Sequence, residues 1–380
     1  MILMGYLAFF DAPKKTAKTS VAALRKLKVA PKVLTGDQAK VAVSICRRVG
    51  IVPEKMLTGT DIDAMSDSTL REAVETTNVF AALTPGQKAR LVSAMRQNGH
   101  TVGFLGDGIN DIPALCEANV GISVDTAVDA AKDAADVVLL QKDLGVLEQG
   151  ILEGRKTFTN MLKYIKITAS SNFGNIFSIV CASAFLPFLP MTALQILLLN
   201  LLYDSLCIVL PWDKLDEEET LAPRDWSGKT LGRFMLSFGP ISSLFDIATF
   251  LFLYYVLCPA FFGGATYLNL TDPVMKGKYV ALFQTGWFLE SMWTQVLILH
   301  FLRTRKIPFI QSSPSVPVMT VTLLGIVLFT VITFTPAAGI FGLTRLPLWY
   351  FLFLFVVVLL YMLLTTVVKT FYQKKYHELI

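Results

Sequence analysis

The stretch Thr101–Asp111, which reads TVGFLGDGIND, decides the fold of the first part of this 380-residue chain. It starts with small and apolar residues, a pattern that is typical of a buried strand. Gly106 and Gly108 then flank a carboxylate, and glycines let the backbone approach a phosphate group closely. Asp107 and Asp111 lie four residues apart at the end of the predicted strand, where two carboxylates can bind a hard cation such as Mg²⁺. An ordinary glycine–aspartate turn is the alternative for the two glycines taken alone.

An upstream segment places another polar group at the end of a strand. Val33–Leu34 is a short apolar run that we interpret as a strand, and Thr35, Gly36 and Asp37 form the turn after it. A helical pattern starts at about Gln38, so Thr35 and the backbone N–H groups of that helix start can hydrogen-bond a phosphoryl oxygen. A plain helix cap is the alternative interpretation of this turn.

A third segment predicts a helix that begins with a proline and carries a lysine. Leu83–Lys88 reads LTPGQK, and Pro85 stands where proline is favoured, in the first turn of a helix. Lys88 can reach a phosphoryl group as a point charge. Taken singly, a lysine at such a position is more often a solvated surface lysine.

In this order, the three segments resemble motifs two, three and four of the haloacid-dehalogenase phosphoryl-transfer fold. The string GDGIND also resembles the hinge motif of P-type ATPases, the pumps that move ions through an aspartyl-phosphate intermediate. The segment from Asp11 to Lys14 resembles the family's Asp-Pro-Pro segment, with Ala12 as a departure. The resemblance implies that ATP is the substrate and Mg²⁺ the catalytic cofactor. It implies roles in phosphoryl transfer for Thr35, Gly36, Asp37, Lys88 and Asn110, in phosphate approach for Gly106 and Gly108, and in Mg²⁺ binding for Asp107 and Asp111.

The family's nucleophile motif, Asp-Lys-Thr-Gly-Thr, does not occur in the 380 residues. In the family, this motif, the nucleotide-binding and actuator domains and the first four membrane helices all precede the region that is matched here. We therefore expect the chain to correspond to the C-terminal part of a pump and to be inactive alone. A truncated reading frame, a wrongly assigned start, a degraded gene and half of a split pump all remain open.

Composition predicts two unlike parts. The chain is 53% hydrophobic with a mean hydropathy of +0.55, which is too apolar for one soluble domain of this length. Residues 1–150 alternate short apolar runs with amphipathic stretches, which predicts an α/β domain with a partial parallel sheet of the haloacid-dehalogenase type. Residues 151–166 read as a connecting helix. Residues 167–380 predict an all-α transmembrane domain with six helices.

The six predicted membrane segments each approach the roughly 20 residues needed to cross a bilayer. They are 167–186, 191–211, 234–258, 279–302, 316–335 and 347–368. Lysines and arginines near the membrane are concentrated on the side of the first domain, which places the N- and C-termini in the cytoplasm. No signal peptide is expected, because Met1 leads directly into a predicted strand at Gly5–Phe10. The net charge of +5 follows from this membrane bias and gives no support for nucleic-acid binding.

Polar side chains inside the membrane segments are the second informative set. Asn172 and Asn175 lie one turn apart in the first segment, and Asn200 and Asp204 do so in the second. Because a carboxylate inside a bilayer is costly, we expect Asp204 to face the asparagines, buried, and to coordinate the transported ion. Interhelical hydrogen bonding is the alternative for the asparagines. Asp246, in the third segment, is a further candidate for the ion path: it could hold a direct ligand of the ion in place, line the access path as a carboxylate, or serve packing alone.

Further strings sharpen the resemblance to the bacterial magnesium-transporting P-type ATPases. They are LGRFM at 231–235, FGPISS at 238–243, FDI at 245–247, FQTGWF at 283–288, RTR at 303–305 and IPFIQS at 307–312. The resemblance implies a multi-pass protein of the bacterial inner membrane that imports Mg²⁺ with ATP and needs the missing N-terminal pump part, in cis or in trans. Two alternatives remain: a non-catalytic membrane remnant or subunit, and a pump for another cation. A membrane-anchored phosphatase would need an Asp-x-Asp motif before Thr35, and none is present.

Overall fold

The computed structural model describes residues 13–14, 16–53, 55–224 and 226–379. The predicted strand at Gly5–Phe10 and the residues Asp11 and Ala12 lie outside these ranges. The chain divides into two compact units. The first runs to Gly154 and includes Leu221–Pro223, and the second comprises Arg155–Thr220 and the chain from Arg224 onward.

The first unit is an α/β domain with parallel strands, as predicted. Its described strands form two sheets, with the orders β1-β3-β2 and β4-β5-β6. The elements in chain order are α1 (Ala17–Lys26), β1 (Val33–Leu34), α2 (Ala39–Arg48), β2 (Met56–Thr58), α3 (Gly59–Ala64), α4 (Asp67–Thr76), β3 (Val79–Ala81), α5 (Pro85–Gln97), β4 (Gly103–Leu105), α6 (Ile112–Glu117), β5 (Val120–Val124), α7 (Asp129–Asp133) and β6 (Val137–Leu139).

Within the described residues, β1 pairs only with β3 and β4 pairs only with β5, so each has one unpaired edge. Two residues nevertheless connect the hydrophobic clusters of the two sheets. Leu34 of β1 and Val102, just before β4, each pack against both hydrophobic clusters, one around Phe80 and the other around Phe104. β2 and β6 are the opposite outer strands of the two sheets, so β1 and β4 are two of the four outer strands that the described residues form, and they are the two that lead into the predicted phosphoryl-transfer motifs.

The second unit is helical, and α8 leads into it. This helix begins at Leu144, within the range of the first unit, and continues for 42 residues to Phe185. The predicted boundaries at residues 150 and 166 both fall inside it, so the connecting segment and the first apolar segment form one helix. The remaining helices are α9 (Ala193–Val209), α10 (Gly228–Phe252), α11 (Cys258–Phe261), α12 (Pro273–Leu302), α13 (Val316–Ile332) and α14 (Leu348–Tyr376), with a π-helical turn at Leu253–Leu257.

All six predicted apolar segments lie in helices. Among the described helices, three stretches are long and apolar enough to cross a membrane, namely Ala193–Trp212, Gly228–Phe261 and Leu348–Tyr376. Helix α13 is apolar but has only 17 residues. Helix α12 is long but carries a row of buried polar side chains, which lowers its hydropathy; they are Gln284, Thr285, Glu290, Ser291, Thr294, Gln295 and His300.

Helices α8 and α10 touch at two glycines. A Cβ on Gly174 would lie 2.2 Å from Ser242 Oγ and 2.9 Å from the carbonyl oxygen of Gly239. A Cβ on Gly239 would lie 2.6 Å from a ring carbon of Phe173. The two backbones approach closely because neither residue has a side chain, as is common for helices packed in membranes.

Candidate functional site

The loop after β4 folds back on itself around Asp111. Gly106–Gly108 leads into a short 3₁₀ turn at Ile109–Asp111. The backbone N–H of Asp111 donates to the Gly108 carbonyl at 3.0 Å, and the N–H of Gly108 donates to Asp111 Oδ2 at 3.4 Å. A Cβ on Gly106 would lie 2.5 Å from the Cβ of Asp111. Gly106 thus makes room for the Asp111 side chain, a role that the sequence pattern did not indicate.

Lys88 is the cationic partner of Asp111. The Nζ of Lys88 donates to Asp111 Oδ1 at 2.7 Å, and the two side chains are only 11% and 15% exposed. Lys88 is placed by the start of α5, where Pro85 is the first helical residue. Thr84 Oγ1 accepts from the Gln87 N–H, and Gln87 Oε1 accepts from the Thr84 N–H, which fixes this helix start.

Asp107 lies on the open side of the same loop. Its carboxylate is half exposed and accepts a hydrogen bond from the Nζ of Lys142 at 2.5 Å. The Nζ of Lys14 donates to the carbonyl of Lys142. These three residues line a cavity of about 310 Å³ at the carboxyl ends of β4, β5 and β6. Such a solvent-reached carboxylate, with a second one four residues away, fits the oxygen ligands that Mg²⁺ prefers.

The Thr-Gly-Asp turn lies at the carboxyl end of β1. The N–H of Asp37 donates to Thr35 Oγ1 at 3.1 Å, while the Asp37 carbonyl accepts from the N–H of Ala82 at 2.7 Å. Thr35 is half-buried, and Gly36 and Asp37 are exposed. Asn110 is exposed on the loop after β4. Thr35 and Asp107 therefore follow β1 and β4, each of which is an outer strand of its sheet within the described residues.

Two lysines of this site were missed from the sequence. Lys142 follows β6, and the only signal for it was that the carboxyl ends of neighbouring parallel strands meet at one edge of a sheet. Lys14 had no signal beyond its place in the Asp-Pro-Pro-like segment. At the cavity, hydrogen bonds from the Gly145 N–H and the Thr16 hydroxyl lower the pKa of Asp143, so this carboxyl is charged at neutral pH.

The predicted ion-site residues of the helical unit fall into two groups. Asn172, Asn200 and Asp204 are exposed in the described chain. The expectation that Asp204 is buried is therefore wrong for this chain. The physical reason is that α9 packs into the core through its other face, which is formed by Leu199, Leu202, Tyr203 and Leu206.

Asn175 and Asp246 form the second group, and both contact other helices. Asn175 is half-buried and its Oδ1 accepts from Gln295 Nε2 at 2.7 Å. Asp246 is buried; its Oδ2 accepts from the Ser178 hydroxyl at 2.6 Å and its Oδ1 from the Trp287 indole N–H at 2.7 Å. Both carboxylate oxygens of Asp246 are therefore already engaged within the protein.

Family models match both units. Residues 2–119 match the haloacid dehalogenase-like hydrolase model, and residues 188–371 match the model of the C-terminus of cation-transporting ATPases. The helical unit is therefore similar to the C-terminal part of cation-transporting ATPases, and the first unit to haloacid dehalogenase-like hydrolases.

Curated relatives match the whole chain. Magnesium-transporting ATPase, P-type 1, of Salmonella typhimurium strain LT2 is 50% identical over 378 residues, which is 100% of this chain and 40% of the relative. The protein of the same name from Escherichia coli K12 is 47% identical over 99% of this chain and 40% of its own length. A probable cation-transporting ATPase F of Mycobacterium tuberculosis H37Rv is 39% identical over 53% of this chain and 23% of its own length. The chain thus spans about 40% of the length of its magnesium-transporting relatives. It belongs to the P-type ATPase family, of which it matches the C-terminal part.

Proposed function

We propose that the chain is the C-terminal portion of an ATP-driven pump that imports Mg²⁺ across the bacterial inner membrane, with both termini in the cytoplasm. The observation that carries the proposal is the arrangement around Asp107 and Asp111, with Lys88 held beside them, in a chain that also contains membrane-length helices bearing Asp204. The names of the relatives support Mg²⁺ as the transported ion.

Each side chain of the first unit has a separable task. Asp107, with Asp111 in support, would hold the catalytic Mg²⁺, which when bound neutralises charge on the phosphoryl group of ATP. Lys88 supplies positive charge to that group, and its ion pair with Asp111 fixes where this charge lies. Thr35 offers a hydroxyl to a phosphoryl oxygen. Lys142 forms an ion pair with Asp107, and both side chains are about half exposed. Such a pair contributes little stability, so a divalent ion can displace the lysine from Asp107 at little cost.

The nucleophilic aspartate would come from the N-terminal part of the pump, in cis or in trans. Within the described residues, β1 and β4 each have one edge without a partner strand, which supports this, since both strands lead into motif residues and Leu34 packs against the clusters of both sheets. A strand inserted between them would pair on both sides and end beside Thr35 and Asp107, because parallel strands present their carboxyl ends at one edge.

The ion site would use Asn172, Asn175, Asn200 and Asp204, with Asp246 behind it. An exposed carboxylate and two exposed amides on membrane helices are costly in lipid, which supports a further protein surface over this face in the complete pump. Mg²⁺ keeps several waters and needs few carboxylates, so one aspartate among amides suits it. Asp246 acts there by holding Ser178 and Trp287, since both its oxygens are engaged.

A chimera tests the proposal. This chain replaces the matching C-terminal part of the Salmonella relative, and the product is expressed in cells that lack magnesium uptake. We expect growth at low Mg²⁺ and Mg²⁺-stimulated ATPase activity, both lost in Asp204→Asn, while phosphorylation from inorganic phosphate survives. The matched control is Asp272→Asn, which alters an exposed helix-capping aspartate at the start of α12.

Each outcome of this experiment decides between the candidates. A chimera that is made and inserted but inactive favours the non-catalytic remnant or subunit. If another cation stimulates the ATPase activity, the chain is still part of a pump, but Mg²⁺ is not the transported ion. Asp204→Asn with unchanged Mg²⁺ dependence removes the ion site proposed here.

A further inference from the structure

Gln295 of α12 is bonded to a residue of the proposed ion site. Its Nε2 donates to Asn175 Oδ1 at 2.7 Å and to Ser291 Oγ at 3.0 Å. Gln295 is 8% exposed and Ser291 is 2% exposed, so both lie inside the helical unit. Gln295 and Asn175 are 120 residues apart in the chain, and this bond joins α12 to α8.

The bond restricts the side chain of Asn175. An amide carbonyl oxygen has two lone pairs, so Asn175 Oδ1 can accept from Gln295 and still bind a cation. The bond restricts the plane of the amide and requires that its oxygen, and not its NH₂ group, faces the Nε2 of Gln295. Ser291, one turn earlier on α12, holds the Gln295 amide in turn.

A neutral donor suits this task. A lysine or arginine at position 295 would repel a divalent ion, and a carboxylate would accept hydrogen bonds and turn the Asn175 NH₂ group towards itself. Glutamine orients the asparagine oxygen and adds no charge. Groups that orient a metal ligand in this way control affinity strongly, and their loss typically costs about 10- to 100-fold.

We propose that Gln295 is a positioning residue of the cation site, which acts by holding the Asn175 amide oxygen in the orientation that binds the transported ion. This inference rests on the proposed function, because it names a further determinant of the same site.

The test uses the full-length chimera described above. Gln295→Met keeps the length of the side chain and removes the donor. We expect the half-saturating Mg²⁺ concentration of the ATPase to rise about tenfold or more, with the maximal rate little changed. The matched control is Gln284→Met, because Gln284 is also buried on α12 but donates to the Leu189 carbonyl at 2.9 Å. This control should change thermal stability without moving the Mg²⁺ dependence.

A double-mutant cycle separates positioning from a general structural effect. In an Asn175→Ala background, Gln295→Met should have no further effect on half-saturation. An equal shift in that background, or half-saturation within twofold of the unmodified chimera, overturns the role of Gln295. Where Gln295→Met yields no folded protein, Gln295→Asn, whose shorter side chain withdraws the amide from Asn175, must produce the same shift. A chimera that does not transport Mg²⁺ contradicts the proposed function and this inference with it, whereas a transporting chimera without the shift contradicts only the inference.

Discussion

Lys88 and Asp111 form an ion pair of 2.7 Å between the first turn of α5 and the loop after β4. Because both side chains are largely shielded from water, each neutralises a charge that would otherwise be poorly solvated. The pair joins two motifs that are 23 residues apart in the chain. It therefore ties the lysine that meets the phosphoryl group to the loop that carries the metal-binding carboxylates.

Asp111→Asn should destabilise the first unit by about 1–3 kcal/mol, since it leaves the Lys88 ammonium shielded without its counter-charge. Asp107→Asn is the matched control and should cost less than about 1 kcal/mol, because its pair with Lys142 is half exposed. Hydrogen exchange of the α5 and β4 amides in the full chain measures both. Equal costs for the two variants would contradict the difference in burial that underlies the prediction.

The chain alone should form no phosphoenzyme, because its 380 residues contain no Asp-Lys-Thr-Gly-Thr motif. Purified chain is incubated with labelled ATP and Mg²⁺ and then quenched in acid. The chimera serves as the positive control and should be labelled. An acid-stable, hydroxylamine-sensitive label on the chain alone would refute the prediction.

Gly174→Ala should weaken the packing of α8 on α10, since the added Cβ would lie 2.2 Å from Ser242 Oγ and 2.9 Å from the Gly239 carbonyl oxygen. Overpacking of this kind costs roughly 1–3 kcal/mol. Gly154→Ala, in the same helix, meets no atom within 4 Å and should stabilise by about 0.5–1 kcal/mol through helix propensity. Thermal unfolding of the purified chain compares them, and the prediction fails if both changes have the same sign.

Glu75→Gln should reduce the acid sensitivity of the first unit. Hydrogen bonds from Asn98 and then from His100 lower the pKa of Glu75 below its ordinary value of 4.5. A carboxyl with a lowered folded-state pKa adds stability above its unfolded pKa, and this stability is lost as the pH falls through the folded value. The variant should therefore lose less stability than the unmodified chain between neutral pH and about pH 3.

Unfolding midpoints at the two ends of this range measure the effect. Glu72→Gln is the control, because Glu72 is an exposed carboxylate on the same helix, α4. An unchanged acid slope in Glu75→Gln, or the same change in Glu72→Gln, would exclude the two hydrogen bonds as its cause.

Local signals in the sequence predicted the elements of the fold well. The proline in LTPGQK marked the start of α5, and the structure has Pro85 as its first residue. The α/β character of the first unit was confirmed, because strand ends and helix starts depend on a few neighbouring residues. The six apolar segments all proved helical for the same reason. The roles of the site residues stay predictions.

Contacts between distant segments could not be predicted. The spacing of Asn200 and Asp204 predicted that they share one face of a helix, but it could not predict what that face contacts. Only the structure shows that both side chains are exposed. In the sequence, Gln295 does not differ from the other polar residues of its apolar segment. Its bond to Asn175 depends on the packing of α12 against α8. The ion pair of Lys142 with Asp107 could not be predicted either, because it depends on the pairing of β6 with β5.

The contact between Gly174 and Gly239 divides α8 into two parts of unequal length. At 1.5 Å per residue, about 45 Å of helix precede Gly174 and about 16 Å follow it. If α8 tilted by about 5° around this contact, its first residue, Leu144, would move by about 4 Å and its last, Phe185, by about 1.4 Å. Asn175, which is adjacent to Gly174, would rotate but hardly move. A tilt of α8 about this contact would therefore displace its first residues far more than the Asn175 amide that Gln295 holds, which would change mainly in orientation.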